Sequence, residues 1–331
     1  MSNQKKIPNV VIQTVAQQFQ QFAMEKQRVY FQPIHGNFGD ELIVMGIESV
    51  AKQNGLEFSP EIEGADHLLI KGGGALLDVY PGLLKQFKEF FHQHSSVPTT
   101  MLPTSYLLNS TSMPELVGRR KAPLHIFVRE EVSYELLKNL EFDGPVSISL
   151  ADDTAFHLCD TEFCNQLRAN RKPAYILIVE RADPESLGNS HCFSKDPNPP
   201  STLKQMVRKV VPVGLRAKFH QMRKGEKSNP LESQFVTKAL KRVYSDHPEL
   251  QGLPVKALDV SSRDLCSGLD EFASVIAGAA VVYSTRLHVG ILAAMLEIPT
   301  YVVQGVYHKI SGIYNYSMTQ MDHVTLVAND E

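Results

Sequence analysis

Short apolar runs recur along this chain, each closing on glycines or a charged residue and each followed by a segment with helical spacing. "RVYFQPI" passes through "HGNFGDE" into "LIVMGIESVAKQNG", a helix that Gly55 closes. "APLHIFV" passes through Arg129 into "EEVSYELLKNL", and "AVVYST" runs into "HVGILAAMLE" before "PTYVVQG". "ADHLLIKGGGALLD" reads the same way, as a strand, glycines and a helical run. Repetition of this unit predicts a parallel sheet with helices on its faces.

Two such series are present. The first occupies 28–158, and the second occupies 173–316, with a joint near 159–172. A length of 331 residues suits two domains of roughly 150 each. The expected fold class is therefore α/β, with two Rossmann-like domains facing a cleft. Ligands of open α/β sheets sit beyond the carboxyl ends of the strands. Ahead of the first domain, within 1–27, Val11, Val15, Phe19 and Phe22 fall at helical spacing and predict an amphipathic helix. Residues 182–233 are rich in Pro, Ser, Asn and Asp, then basic in "RAKFHQMRKGEKSNP"; a flexible insertion is expected there. Residues 317–331 read as a C-terminal tail.

Charge and cysteine usage narrow the function. The net charge of −3 gives no broad attraction for nucleic acid, although it leaves room for a local cationic pocket. Cys159, Cys164, Cys192 and Cys266 show no CxxC spacing, which suits reduced thiols in the cytoplasm. No apolar h-region opens the chain, and no apolar run reaches the ~18 residues of a membrane span. No metal-ligating constellation stands out, and no metal or cofactor is expected.

The chemistry-bearing residues cluster at strand ends. In "HGNFGDE", Asn37, Gly39 and Asp40 open a helix whose free N–H groups suit a polar or anionic ligand; capping is the competing role. In "IKGGGALLD", Gly73 and Gly74 imply close backbone approach. Leu77 stands where a GxGxxG dinucleotide fingerprint needs glycine, and no GxxxxGK[ST] occurs. Arg129 follows a strand, with Glu130, Glu131 or Asp152 as its expected salt-bridge partner. Asp152 and Asp153 end another strand; one suits hydroxyl binding or base chemistry, and the other suits capping. Arg286 and His288 interrupt an otherwise apolar segment, "VVYSTRLHVGILAAML". Unpaired charge is costly to bury, so this pair needs partners or a function. Arginine and Lys309 suit phosphate or carboxylate, and histidine suits proton transfer near neutral pH.

Taken in order, "GNFGDELI", "LLIKGGGALLD", "FVREEVSYELL", "LADDTAF", "STRLHVGILAAMLEIPTYVV" and "HKISGIY" resemble the polysaccharide pyruvyltransferase family over about 30–316. The resemblance implies a GT-B-like fold and transfer of the pyruvyl group of phosphoenolpyruvate to a sugar as a ketal, with release of phosphate. It further implies His288 as general acid, with Arg286 and Asp40 also at the reacting centre. Arg286, Lys309, Arg129 and Ser311 would hold the donor. Asn37, Gly39, Asp40, Gly73, Gly74 and Asp152 would line the acceptor side. The acceptor would be a sugar or lipid-linked oligosaccharide at the inner face of the membrane, which the basic run could touch. A homo-oligomer is compatible with this reading. Ser284 and Thr285 stand where many members carry an acidic residue before the arginine. Two alternatives stay open: a GT-B-type nucleotide-sugar glycosyltransferase and a non-catalytic member of the same fold.

Overall fold

The computed structural model describes residues 14–181, 233–263 and 265–328. Nearly all of the 182–233 insertion, Cys192 and Val11 lie outside the described residues. The N-terminal helix α1 spans Val15–Met24 and is capped by Thr14 in a reciprocal capping box with Gln17. It buries Val15, Phe19 and Phe22 against the first sheet, as their spacing predicts.

The first sheet contains β1 (Val29–Gln32), β2 (Phe58–Ser59), β3 (His67–Ile70), β4 (Gly73–Leu77), β5 (Thr99–Leu107), β6 (Leu124–Val128) and β7 (Val146–Leu150). Its order is β2-β1-β3-β5-β6-β7, with β4 paired to the upper half of β5, and every pairing is parallel. The connecting helices are α2 (Phe38–Gln53), α3 (Pro81–Gln93), α4 (Met113–Val117) and α5 (Glu131–Lys138). A short 3-10 turn at Thr154–Leu158 and helix α6 (Glu162–Ala169) lead to the second sheet.

That sheet contains β8 (Tyr175–Val179), β9 (Val255–Ala257), β10 (Ala279–Ser284), β11 (Thr300–Val303) and β12 (Val324–Val327), in the parallel order β12-β11-β10-β8-β9. Helices α7 (Gln234–Asp246), α8 (Leu269–Ala277), α9 (Leu287–Met295) and α10 (Lys309–Ile313) accompany it. Strands buried on both faces read as unbroken apolar runs, and all five residues of β8 are buried.

Two segments depart from the sequence reading. "GGALL" is a strand rather than the start of a helix. It resumes the lane of β3 after a break at Lys71–Gly72 and pairs with β5 through Gly73↔Thr104 and Leu76↔Tyr106. The break exists because β5 carries Pro103 at a register shift. A Cβ on Gly72 would lie 2.1 Å from the Pro103 carbonyl oxygen, so only glycine fits. The C-terminal segment, read as a tail, supplies edge strand β12, whose Val324 and Val327 are buried.

The two domains share apolar contacts. Phe38 and Leu42 of α2 and Ala155 and Leu158 of the 3-10 turn join one core cluster with Phe272 of α8 and Leu287 and Ile291 of α9. The rings of Phe38 and Phe272 lie 5.5 Å apart, centroid to centroid. Among the described residues no helix is long and apolar enough to cross a membrane.

Candidate active site

The strand ends of both sheets meet above this shared core. Every residue of α9 except His288 is buried, and Arg286 and His288 bring its polar groups to the domain boundary. Arg286 takes the N-cap position, and its backbone N–H donates to the Ser284 hydroxyl at 2.9 Å. Its guanidinium is clamped by Asp259, with Nε 3.1 Å from Oδ1 and Nη2 2.5 Å from Oδ2. Arg286 is 9% exposed, so this ion pair satisfies a largely buried cation.

His288, two residues on, leans against the first domain. Its Nε2 lies 3.3 Å from Asp153 Oδ2. Its Nδ1 faces Gly39 in the first turn of α2, where a Cβ would come within 2.6 Å. Asp153 is 1% exposed and also accepts from Arg129 Nη1 at 2.5 Å and from the Ala155 backbone N–H at 2.9 Å. Burial alone would raise the Asp153 carboxyl, but His288 and Arg129 hold it well below the usual carboxylate range. Arg129 is itself 1% exposed and is steadied by Ser105, whose hydroxyl accepts from Nε at 3.0 Å. The partner of Arg129 is thus Asp153 rather than Glu130, Glu131 or Asp152.

A parallel pair lies on the other side of His288. Lys71, 1% exposed, donates to Asp40 Oδ1 at 2.5 Å and to the Ile34 carbonyl at 2.9 Å. Burial pushes the Asp40 carboxyl up, but Lys71, His288 and the Asn37 N–H outweigh it and keep it ionised below its ordinary range. Asn37 caps α2 by accepting from the Gly39 N–H at 2.7 Å, so its side chain is used locally.

Lys309 opens α10 and is 7% exposed. A Cβ on Gly74 would lie 3.5 Å from Lys309 Nζ and 3.6 Å from Arg129 Nη2, so both cations flank the space that Gly74 leaves open. Gly73 has φ +103°, a conformation natural to glycine, and its carbonyl accepts from the Thr104 hydroxyl. Ser311 turns its hydroxyl back to the His308 carbonyl at 3.2 Å. Asp152 accepts from the Ser317 hydroxyl at 2.7 Å, a contact that crosses the domain boundary.

A cleft of 340 Å³ opens beside this cluster, walled by His35, Gly36, Asp40 and Glu41 of the first domain and by Arg263 and Leu269 of the second. Arg263 ties its two walls together through the Gly36 carbonyl at 2.6 Å and Glu41 at 2.6 Å. No group of three or more metal-ligating side chains occurs among the described residues.

The structure therefore brings together His288, Asp40, Arg129, Lys309, Gly39 and Gly74. It places Arg286, Asn37, Ser311 and Asp152 in local or cross-domain bonds at the edge of the group. Sequence reasoning missed Lys71, although a lysine ending the apolar run "HLLIK" was a signal. It missed Asp259 in "ALDVS", which is likewise an acid at a strand end. It left Asp152 and Asp153 undivided, because adjacent residues point to opposite sides and the sequence does not say which faces the partner domain.

A family model described as polysaccharide pyruvyl transferase matches residues 37–304. Among solved structures, a functionally uncharacterised protein from Klebsiella pneumoniae is similar with 17% identity and a TM-score of 0.55, over 94% of this chain and 96% of that chain. A UDP-GlcNAc 2-epimerase from Methanocaldococcus jannaschii, in complex with UDP-GlcNAc and UDP, shares 13% identity over 89% of this chain and 72% of that chain, with a TM-score of 0.33. No curated protein matches the chain in sequence.

Proposed function

The chain belongs to the polysaccharide pyruvyl transferase family and is a transferase; on that premise we propose that it moves the pyruvyl group of phosphoenolpyruvate onto a sugar of a cell-surface glycan precursor, as a ketal. The observation that carries this reading is the pair Arg129 and Lys309 beside Gly74, with His288 held on the same domain boundary. A small molecule bearing both a phosphate and a carboxylate needs two converging cations and little room. A glycine opposite them supplies that room.

In the proposed reaction His288 gives a proton to the methylene carbon of the donor. The carbon–carbon double bond becomes a methyl group, and positive charge develops at the adjacent carbon and its phosphate-bearing oxygen. A sugar hydroxyl adds to that carbon and loses its proton. The carbon–oxygen bond to phosphate then breaks, with the electron pair leaving on phosphate. A second hydroxyl closes the ring and releases its proton. The net change joins one donor and two hydroxyls into a ketal and frees inorganic phosphate. Arg129 and Lys309 stabilise the departing phosphate and the carboxylate. The acceptor lies along the cleft walled by His35, Glu41 and Arg263, with the Asp40 carboxylate able to accept a hydroxyl hydrogen. Asp259 already engages Arg286, so Arg286 shapes the rim through that pair and meets the donor from there.

Ligand-dependent thermal stabilisation tests the donor. A ligand bound by the folded state alone raises apparent stability. Phosphoenolpyruvate is expected to raise the melting temperature of the wild type and not of Lys309→Ala. Stabilisation by UDP-glucose alone would favour the nucleotide-sugar alternative and overturn this reading.

A further inference from the structure

We infer that Asp153 is the positioning residue for His288, and that it makes the proton donor of one domain depend on the other. The inference rests on the reading of His288 as the acid. Asp153 lies just beyond β7 of the first sheet and caps the 3-10 turn Thr154–Leu158, whereas His288 stands in the first turn of a second-domain helix. The carboxylate is held by groups other than His288 as well. Its Oδ1 accepts from the Ala155 N–H, its Oδ2 is paired with Arg129, and almost none of it meets solvent. A buried carboxylate so oriented can accept the Nε2–H of an imidazolium, which leaves Nδ1 facing Gly39 in the first turn of α2, where only a residue without a Cβ lets the ring approach so closely.

Two consequences follow from the geometry. Ring orientation is set across the domain boundary, so separation of the domains removes the partner that holds the ring. The charged groups facing His288 are Asp153 and Asp40, each tied to its own cation, Arg129 and Lys71. Asp153 is the one in direct contact, so it is the group that fixes the orientation of the ring.

The test uses the full chain with Asp153→Asn, Asp153→Glu and Ser105→Ala, each checked by melting for a folded state. Asp153→Asn is expected to lower kcat about 100-fold, with a smaller change in KM for phosphoenolpyruvate. The pH profile of its kcat should also differ from that of the wild type. Asp153→Glu should recover part of kcat and return the profile toward wild type. Ser105→Ala removes a contact of Arg129 and leaves the Asp153 carboxylate in place, so it should raise KM without moving the profile. A second readout needs no turnover: modification of His288 by diethyl pyrocarbonate, followed by peptide mass mapping. The ring should react several-fold faster in Asp153→Asn than in wild type. A wild type inert toward phosphoenolpyruvate but showing this contrast would refute the donor assignment and leave the positioning role standing. Equal modification rates and an unchanged pH profile in Asp153→Asn would overturn the inference.

Discussion

Arg286 and Asp259 form a clamp at the head of helix α9: the guanidinium meets the carboxylate through both Nε and Nη2, and both side chains are largely buried. The motif residue that sequence analysis assigns to donor binding therefore has a structural partner as well. Loss of Asp259 would strand the arginine charge in a poorly solvated place, a change that typically costs about 3–5 kcal/mol. Asp259→Ala is expected to lower the melting temperature by several degrees and to raise KM for phosphoenolpyruvate alongside it. Arg286→Ala should raise KM at least as much. Melting curves and steady-state kinetics on the two variants check this. A normal melting temperature with normal KM in Asp259→Ala would show that the clamp holds nothing in place.

The triple glycine separates folding from binding. A Cβ on Gly72 would sit 2.1 Å from the Pro103 carbonyl oxygen, a fixed backbone atom. Gly72→Ala should therefore destabilise the fold by more than an ordinary core substitution, above about 3 kcal/mol. A Cβ on Gly74 meets only the ends of Lys309 and Arg129 at 3.5 and 3.6 Å. Gly74→Ala should melt near wild type while filling the space for the donor, with KM raised at least tenfold. Denaturation and kinetics on the pair distinguish the two roles.

Acid sensitivity should come from two histidines remote from the site. His67 on β3 and His125 on β6 stand on the two strands that flank β5, and His67 Nε2 meets the Thr100 hydroxyl at 2.9 Å and packs on Phe22 of α1. Burial pushes both down to about 4. The unfolded chain binds these protons near pH 6.5, while the folded chain resists them until about pH 4. Stability should therefore be complete above pH 6.5 and fall between pH 6.5 and 4, by at most about 3 kcal/mol per histidine. Urea unfolding at a series of pH values measures the slope, and His67→Asn should flatten it. An unchanged slope would place the acid sensitivity elsewhere.

Much of this arrangement was legible in the sequence, and the reasons are local. Alternation of apolar runs with helical spacing gave both parallel sheets, because strands buried on two faces must be apolar throughout. Arg129, His288, Lys309 and Asp40 stood out because charges at strand ends are conspicuous beside apolar runs. Pairing was not legible. Arg129 chooses Asp153 over three other carboxylates, and Arg286 chooses Asp259, because domain packing decides which acids face which cations. "GGALL" was misread because its partner strand bends at Pro103, a relationship between segments 31 residues apart at the Gly73–Thr104 contact. Residues 324–327 were read as tail because four residues carry too little pattern to announce an edge strand.

The central claim is that the converging cations serve phosphoenolpyruvate and that its pyruvyl carbon ends in a ketal. The most direct measurement is NMR of phosphoenolpyruvate labelled with carbon-13 at the phosphate-bearing carbon, incubated with the protein and a panel of glycan acceptors carrying adjacent or 1,3-related hydroxyls. The account predicts acceptor-dependent growth of a ketal carbon signal, matched one for one by inorganic phosphate in the phosphorus spectrum, and neither signal with His288→Ala. Phosphate release without a ketal carbon, or full turnover by His288→Ala, would contradict it.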